Sequence, residues 1–162
     1  MTARWREAVD ALHSAIAAAA ALNGSPLCVP LRNEQLPERI ETFGEAGLEM
    51  YLNVLDGEGR PDEAGTMAGA ETAQIGDGFE IIWNARVELI VGALDEEARK
   101  AAFDAALDAI AGVLETDRQL DGKVSFARII GMDRTDHVAA GVEQVEAADI
   151  TVELQFLSSR PF

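Results

Sequence analysis

The chain has 162 residues, the length of a single domain that can bury about two thirds of its unfolded surface without disulfides or metal ions. Thirteen basic residues against 29 acidic ones give a formal net charge of −16, which argues against binding to nucleic-acid phosphates and to anionic membranes. One cysteine, Cys28, excludes an internal disulfide and is typical of a reducing compartment.

The first predicted element is an amphipathic helix over residues 2–22. Its apolar stripe recurs at i, i+4, i+7 and i+11 and consists of Trp5, Val9, Leu12 and Ile16. Thr2 is the predicted N-cap, and Asn23-Gly24 supplies a left-handed exit. Glu7, Asp10 and His13 interrupt the N-terminal segment, and the apolar run over residues 15–22 is too short to span a bilayer, so we predict no cleaved signal and a cytosolic location.

The next part of the chain alternates between irregular segments and one strand. Prolines in residues 24–42 exclude a long helix there, although residues 27–31 suit a short edge strand. Strict alternation then predicts a half-buried strand over residues 48–55. Glycines and acids without a period follow, so we predict a flexible loop at about residues 56–70. Residues 70–75 are a candidate strand, joined to the next strand by the turn Gly76-Asp77-Gly78.

The strongest pattern in the sequence is a strand over residues 79–91 followed by a long helix from Asp95 to Leu114. Alternate apolar residues place one face of this strand in the core: Phe79, Ile81, Trp83, Ala85, Val87, Leu89 and Val91. Asp95 is the predicted N-cap, and Glu96 is spaced to pair with Lys100. The buried stripe of the helix is Phe103, Leu107, Ile110 and Leu114.

Two further strands close the predicted fold. Asp121-Gly122 turns the chain into a strand over residues 124–130, and a polar connection over residues 131–147 contains His137. The last strand, residues 150–156, alternates clearly between apolar and polar residues. Because strands follow one another without intervening helices, the prediction is a single α+β domain over residues 1–162, with a mostly antiparallel sheet of four to five strands and two helices on one face.

The sequence contains no pattern typical of a catalytic or metal site. It has no phosphate-binding glycine loop, no dinucleotide fingerprint and no zinc-ligand spacing. A calcium loop starting at Asp56 would place Pro61 at its sixth position and Met67 at its twelfth, and neither residue type suits those positions. We therefore expect no enzyme activity, no catalytic residue, no metal and no cofactor.

The second face of the central strand is mixed. Ile82 and Ile90 flank three polar residues, Asn84, Arg86 and Glu88. A mixed face of this kind suits partial burial against another subunit. Trp83 lies on the opposite, core-forming face, where we expect it to pack rather than to stack on a ligand.

In its organisation the chain resembles the tail terminator proteins of long-tailed bacteriophages and gene transfer agents, the lambda minor tail protein U type. The resemblance covers the N-terminal helix, the strand EIIWNARVELIV (80–91), the helix DEEARKAAFDAALDAIAGVL (95–114), the turn LDGKV (120–124) and the closing strand ADITVELQF (148–156). The chain is longer than a minimal member of the family, with the excess in residues 24–42 and 56–69.

The resemblance implies a structural virion protein that assembles as a homohexameric ring, either in isolation or only on the tube. Such a ring caps the tail tube, ends its polymerisation and contacts the head connector. The protein would act in the host cytoplasm during assembly and then at the head–tail junction. Six chains with a charge of −16 each give a ring with a charge of −96. A charge of this sign repels DNA, so DNA would pass through the lumen without being bound.

Five residues are candidates for the contact with another subunit or with the tube: Arg60, Met67, Ile82, Arg86 and Arg128. We predict that the three arginines neutralise acids across subunit interfaces, since so acidic a chain otherwise repels its copies. Two other functions stay open. One is a small α+β ligand-binding module or enzyme of unknown substrate with Trp83 and Tyr51 lining a pocket; the other is an acidic mimic of DNA.

Overall fold

A computed structural model of the protein describes residues 3–22, 31–33, 43–61, 79–134 and 144–159. These residues form two helices and five strands, which in chain order are α1 (Arg4–Leu22), β1 (Leu31–Arg32), β2 (Glu49–Pro61), β3 (Phe79–Gly92), α2 (Glu96–Thr116), β4 (Phe126–Arg134) and β5 (Val145–Ser158).

The five strands form one sheet in the order β1-β2-β3-β5-β4. The pairs β2–β3, β3–β5 and β5–β4 are antiparallel, and only the two-residue β1 runs parallel to its neighbour. Both helices pack on the same face, where their apolar stripes join those of β2, β3 and β5 in one core. The predicted α+β class, with a mostly antiparallel sheet and helices on one face, is confirmed.

The alternation in β3 explains how the core is built. Along this strand Ile81, Ala85, Val87, Leu89 and Val91 are buried under the helices, because every second side chain points to the same face. The alternate apolar residues of β5 complete the layer: Ala148, Ile150, Val152, Leu154 and Phe156. The strand predicted over residues 79–91 is confirmed.

The first helix follows its predicted stripe. Val9, Leu12 and Ile16 are buried against the sheet, and Trp5 packs at the edge of the same core. Within the part of the chain that the structure describes, neither helix has the length and hydropathy needed to cross a membrane.

The second helix begins where the sequence predicts. The Asp95 side chain accepts a hydrogen bond from the backbone N–H of Ala98 at 3.1 Å, and Glu96 pairs with Lys100 one turn later. The buried stripe differs in part, because Leu107 is only half-buried while Arg99 is buried. The Arg99 guanidinium donates to the carbonyl of Ala93 at 2.8 Å, which ties the first turn of α2 to the end of β3.

The predicted loop at residues 56–70 is wrong at its start, because β2 continues to Pro61. A β-bulge between Leu55 and Glu58 makes this continuation possible, and Gly57 adopts a φ of +67° within it. The bulge inserts a residue, so it reverses which side chains of β2 face the helices. Residues 62–70 lie outside the described residues.

The last two strands are longer than predicted. β4 begins at Phe126 and continues through Arg134, and β5 begins at Val145, so the predicted connection over 131–147 is wrong at both ends. Pairing with the neighbouring strand explains the difference, because hydrogen bonds extend both strands beyond their apolar alternation. The turn before β4 is confirmed: Leu120, Asp121 and Gly122 have φ values of 48°, 56° and 73°.

Several predictions lie outside the described residues. They concern the Thr2 cap, the Asn23-Gly24 exit, most of the 27–31 strand, the 70–75 strand and its turn, and the residues Cys28, Met67 and His137.

Candidate interaction surface

The sheet face that points away from the helices is here called the open face. The strand pairing places these side chains on it: Tyr51, Asn53, Leu55, Ile82, Asn84, Arg86, Glu88, Ile90, Phe126, Arg128, Ala147, Asp149, Thr151, Glu153, Gln155 and Leu157. No helix of the described residues packs there, so the alternate residues of the strands decide its chemistry.

One end of the open face is covered by the turn at residues 43–47. Phe43 packs there with Tyr51, Ile90, Val145 and Ala147 in a small second core. The approach of this turn to β3 requires glycine, because a Cβ on Gly92 would lie 2.7 Å from the Phe43 ring. Ile90, predicted to lie on a mixed face partly buried against another subunit, is instead buried by this turn of its own chain.

The middle of the open face is a set of ion pairs between neighbouring strands. Arg86 of β3 lies 3.0 Å from the Asp149 carboxylate, and Arg128 of β4 lies 2.9 Å from that of Glu153. Asn53 is fully buried and donates to Glu88 at 3.1 Å. Cross-strand pairs of this kind stabilise a sheet by about 0.2–1 kcal/mol each, so they make the open face soluble more than they make it stable.

The structure brings three of the five predicted contact residues together. Ile82, Arg86 and Arg128 all lie on the open face, with the two arginines on either side of β5. The backbone of Arg60 pairs with that of Ile82, while Met67 lies outside the described residues. Both open-face arginines already pair with acids of their own chain, so a second subunit would have to compete with these pairs.

The alternative ligand-binding function would need Trp83 and Tyr51 to line one pocket, but the two side chains lie on opposite faces of the sheet. Trp83 stacks on Trp5 with ring centroids 4.7 Å apart and ring planes 6° apart. Its indole N–H donates to the carbonyl of Asp56 at 2.5 Å. Trp83 thus packs between α1 and the bulge of β2, as expected for a core residue, and its ring is not free to bind a ligand there.

Groups with shifted pKa values lie at helix ends and not in a cleft. The hydrogen bond with Lys100 lowers the pKa of Glu96, and the same bond raises the pKa of Lys100. At the other end of α2, backbone N–H groups of Asp121 and Gln119 lower the pKa of Asp117. All three groups are exposed, and helix capping and pairing explain the shifts without a catalytic role.

The described residues contain no cluster of three or more His, Cys, Asp or Glu side chains that could hold a metal ion. Carboxylates on the open face are instead distributed among separate arginine and amide partners.

The sequence does not identify β4 as an exposed edge. Ile129, Ile130 and Met132 are 38%, 45% and 45% exposed in the outermost strand of the sheet. The signal available in the sequence is the run Ile129-Ile130-Gly131-Met132, which breaks the alternation expected for a half-buried strand. That run indicates irregular burial but not which strand lies at the edge.

No protein-family model matches this chain, and no curated protein matches it.

Proposed function

We propose that the chain is a tail terminator of a long-tailed bacteriophage or gene transfer agent. In this role it forms a ring on the finished tail tube, ends polymerisation of the tube and provides the surface that the head connector contacts. The protein then acts in the host cytoplasm during assembly and stays at the head–tail junction of the particle. It acts by contact and not by catalysis.

The observation that carries this proposal is the order of elements in space. An N-terminal helix, a strand pair, a capped helix and two closing strands form one sheet with both helices on one face. This is the organisation on which the resemblance to tail terminators rests. The layout suits a ring subunit, because the helices and the sheet face opposite directions and each layer can meet a different neighbour.

Charge supports the same function. A net charge of −16 per chain disfavours retention of DNA by the surface of a channel through which the genome passes. Like charges also oppose association of the copies, so subunit contacts have to be made where basic and apolar groups are concentrated. The open face supplies Arg86 and Arg128 among its acids.

The test is electron microscopy of purified chain mixed with assembling tail tube protein from the same genome, with light scattering of the chain alone. We expect tubes that stop growing and bear a ring at one end. Tubes that continue to lengthen without a ring at their ends would overturn the proposal. A tube preparation without the chain gives the reference length distribution.

The predicted role of Arg86 is tested in the same assay with Arg86→Glu. If Arg86 neutralises an acid of the adjacent subunit, the reversal places a carboxylate opposite that acid and reduces the fraction of ring-capped tubes. Within its own chain the new carboxylate also repels Asp149 and Glu88. Lys100→Glu is the matched control, because it makes the same charge change on the helical layer beside Glu96. Equal capping by the Arg86→Glu variant and the wild type would count against the role of Arg86 and leave the terminator function standing.

A further inference from the structure

Within the described part of the sheet, the outer edge of β4 is unpaired and exposed along most of its length. β4 is the last strand in the sheet order, so no strand among the described residues pairs with its outer backbone groups. All residues from Arg128 to Arg134 are exposed, including three large apolar side chains.

An edge strand with seven consecutive exposed residues, among them the large apolar Ile129, Ile130 and Met132, is unusual. Soluble proteins ordinarily protect such edges, because the unpaired N–H and C=O groups and the apolar side chains together form a template for another strand. β4 has a single bulge, between Ile129 and Gly131, and no proline. The physical chemistry of this edge therefore favours addition of a strand from another chain.

Charge identifies the kind of strand that fits. β4 contains Arg128, Arg134 and Asp133, a net charge of +1 within a chain of −16. Arg128 pairs with Glu153, whereas Arg134 forms no ion pair among the described residues and lies over the Phe103 ring. In the turn before β4, Arg118 lies over the Phe126 ring. A strand that carries an excess of acid is complementary to this edge.

The opposite end of the same sheet has this property. Beyond Val54, β2 contains Asp56, Glu58 and Arg60, a net charge of −1. β1 pairs only with Asn53 and Val54, and the Asn33 side chain then accepts a hydrogen bond from the backbone N–H of Asp56 at 2.9 Å. The rest of this outer edge has no partner strand among the described residues. Asp10 and Asp56 both contact Arg32 at this end, and Glu58 is exposed.

We infer that β4 binds the acidic β2 edge of a second copy, head to tail. The strand directions fit this contact: β2, β3, β5 and β4 alternate in direction, so a copy that continues the sheet places its β2 antiparallel to β4. Two β4 edges related by a two-fold axis would instead bring two positive edges together. A head-to-tail contact repeats from copy to copy and closes into a ring when the rotation permits.

This inference rests on the proposed function only for the closure of the ring, since the edge contact itself is a property of the isolated chain. It names the surface that joins adjacent subunits, which is β4 on one copy and β2 beyond Val54 on the next.

Cross-linking decides between the two geometries. In a Cys28→Ser background, one preparation carries Ile130→Cys and a second carries Glu58→Cys, and a flexible bis-maleimide joins thiols that lie close together. Head-to-tail pairing predicts cross-linked dimers when the two are mixed and none from either alone. Dimers from Ile130→Cys alone would show two-fold pairing of β4 and would overturn the inference.

Sedimentation velocity over a concentration series measures the strength of the contact. Ile130→Lys is expected to weaken self-association about tenfold or more, because a charged lysine replaces an apolar side chain at the contact. Leu94→Lys is the matched control: it makes the same type of change at a side chain that is 69% exposed and lies between β3 and α2, and it should leave association unchanged. High salt should weaken the wild-type contact as well.

The same variants are tested on tail tubes, so that the two proposals can fail separately. If the wild type and Ile130→Lys cap tubes equally well and Ile130→Cys does not cross-link with Glu58→Cys, the edge contact is overturned and the terminator function stands. If the wild type leaves tubes uncapped while Ile130→Cys and Glu58→Cys still cross-link in solution, the terminator function alone is overturned. Absence of cross-links both in solution and on tubes would overturn the inference.

Discussion

The two faces of the sheet are made of the same strands but contribute differently to stability. On the helical face, Val54, Ala85, Val87 and Val152 are completely excluded from solvent. On the open face, Arg86 is about half exposed and its neighbours are paired charges. Burial of a large apolar side chain contributes about 1.5–3 kcal/mol, whereas an exposed ion pair contributes about 0–1 kcal/mol. Most of the stabilising free energy thus comes from burial on the helical face. Substitutions on the open face can therefore change its contacts with partners at little cost in stability.

The largest effect that would test this contrast is truncation of Phe103, a fully buried residue at the centre of α2. We expect Phe103→Ala to lower the free energy of unfolding by about 3–5 kcal/mol, because it leaves a cavity beneath the helix. Chemical denaturation followed by circular dichroism gives the value. Leu157→Ala, at a residue 64% exposed on the open face, should change it by less than about 0.5 kcal/mol; similar losses from both would contradict the contrast.

The next effect concerns the bulge of β2, beyond which the opposite set of side chains faces the helices. Gly57→Ala places a side chain in the left-handed region, which costs about 1–3 kcal/mol, and its Cβ would lie 1.8 Å from the carbonyl oxygen of Asn84. We expect loss of stability together with loss of the signal from the stacked Trp5 and Trp83 in circular dichroism, since the adjacent Asp56 carbonyl holds Trp83.

Gly131→Ala is the control for that change. It introduces the same methyl group into another strand, where nothing lies within 4 Å. Its stability should match the wild type or exceed it slightly, because alanine has less freedom in the unfolded chain. A Gly57→Ala protein as stable as Gly131→Ala would show that the bulge does not need glycine.

A smaller effect is expected from the open-face ion pairs. Arg86→Ala should lower the free energy of unfolding by less than about 1 kcal/mol, because both Arg86 and Asp149 are partly exposed. A double-mutant cycle with Asp149→Ala isolates the pair, and its coupling energy should fall between about 0.2 and 1 kcal/mol. A coupling energy comparable to the Phe103 truncation would mean that the open face also determines stability.

The smallest effect is a dependence on pH at the end of α2. Backbone hydrogen bonds lower the pKa of Asp117 in the folded protein, so its contribution is fully present above the unfolded pKa, about 4, and is lost as the pH falls through the folded pKa. Asp117→Ala should therefore reduce stability at neutral pH and flatten its decline in acid. Thermal unfolding at a series of pH values measures this, with Asp108→Ala as an exposed control on the same helix.

Some features of the protein follow from the sequence because they depend on residues close together in the chain. Period 3.6 identifies both helices, period 2 identifies the buried face of β3, and Asp95 identifies the start of α2. The candidate contact residues Ile82 and Arg86 were assigned correctly to the face opposite Trp83, because alternation alone determines which face of a strand a residue occupies.

Other features depend on residues far apart in the chain, and only the tertiary structure decides them. Arg86 pairs with Asp149, 63 residues away, and Ile90 is covered by the turn that contains Phe43. Residues 56–61, predicted as the start of a loop, form strand because they pair with β3 across the bulge at Gly57. The position of β4 at the edge of the sheet is decided in the same way, because strand order arises from the pairing of whole strands, which no local pattern of residues specifies.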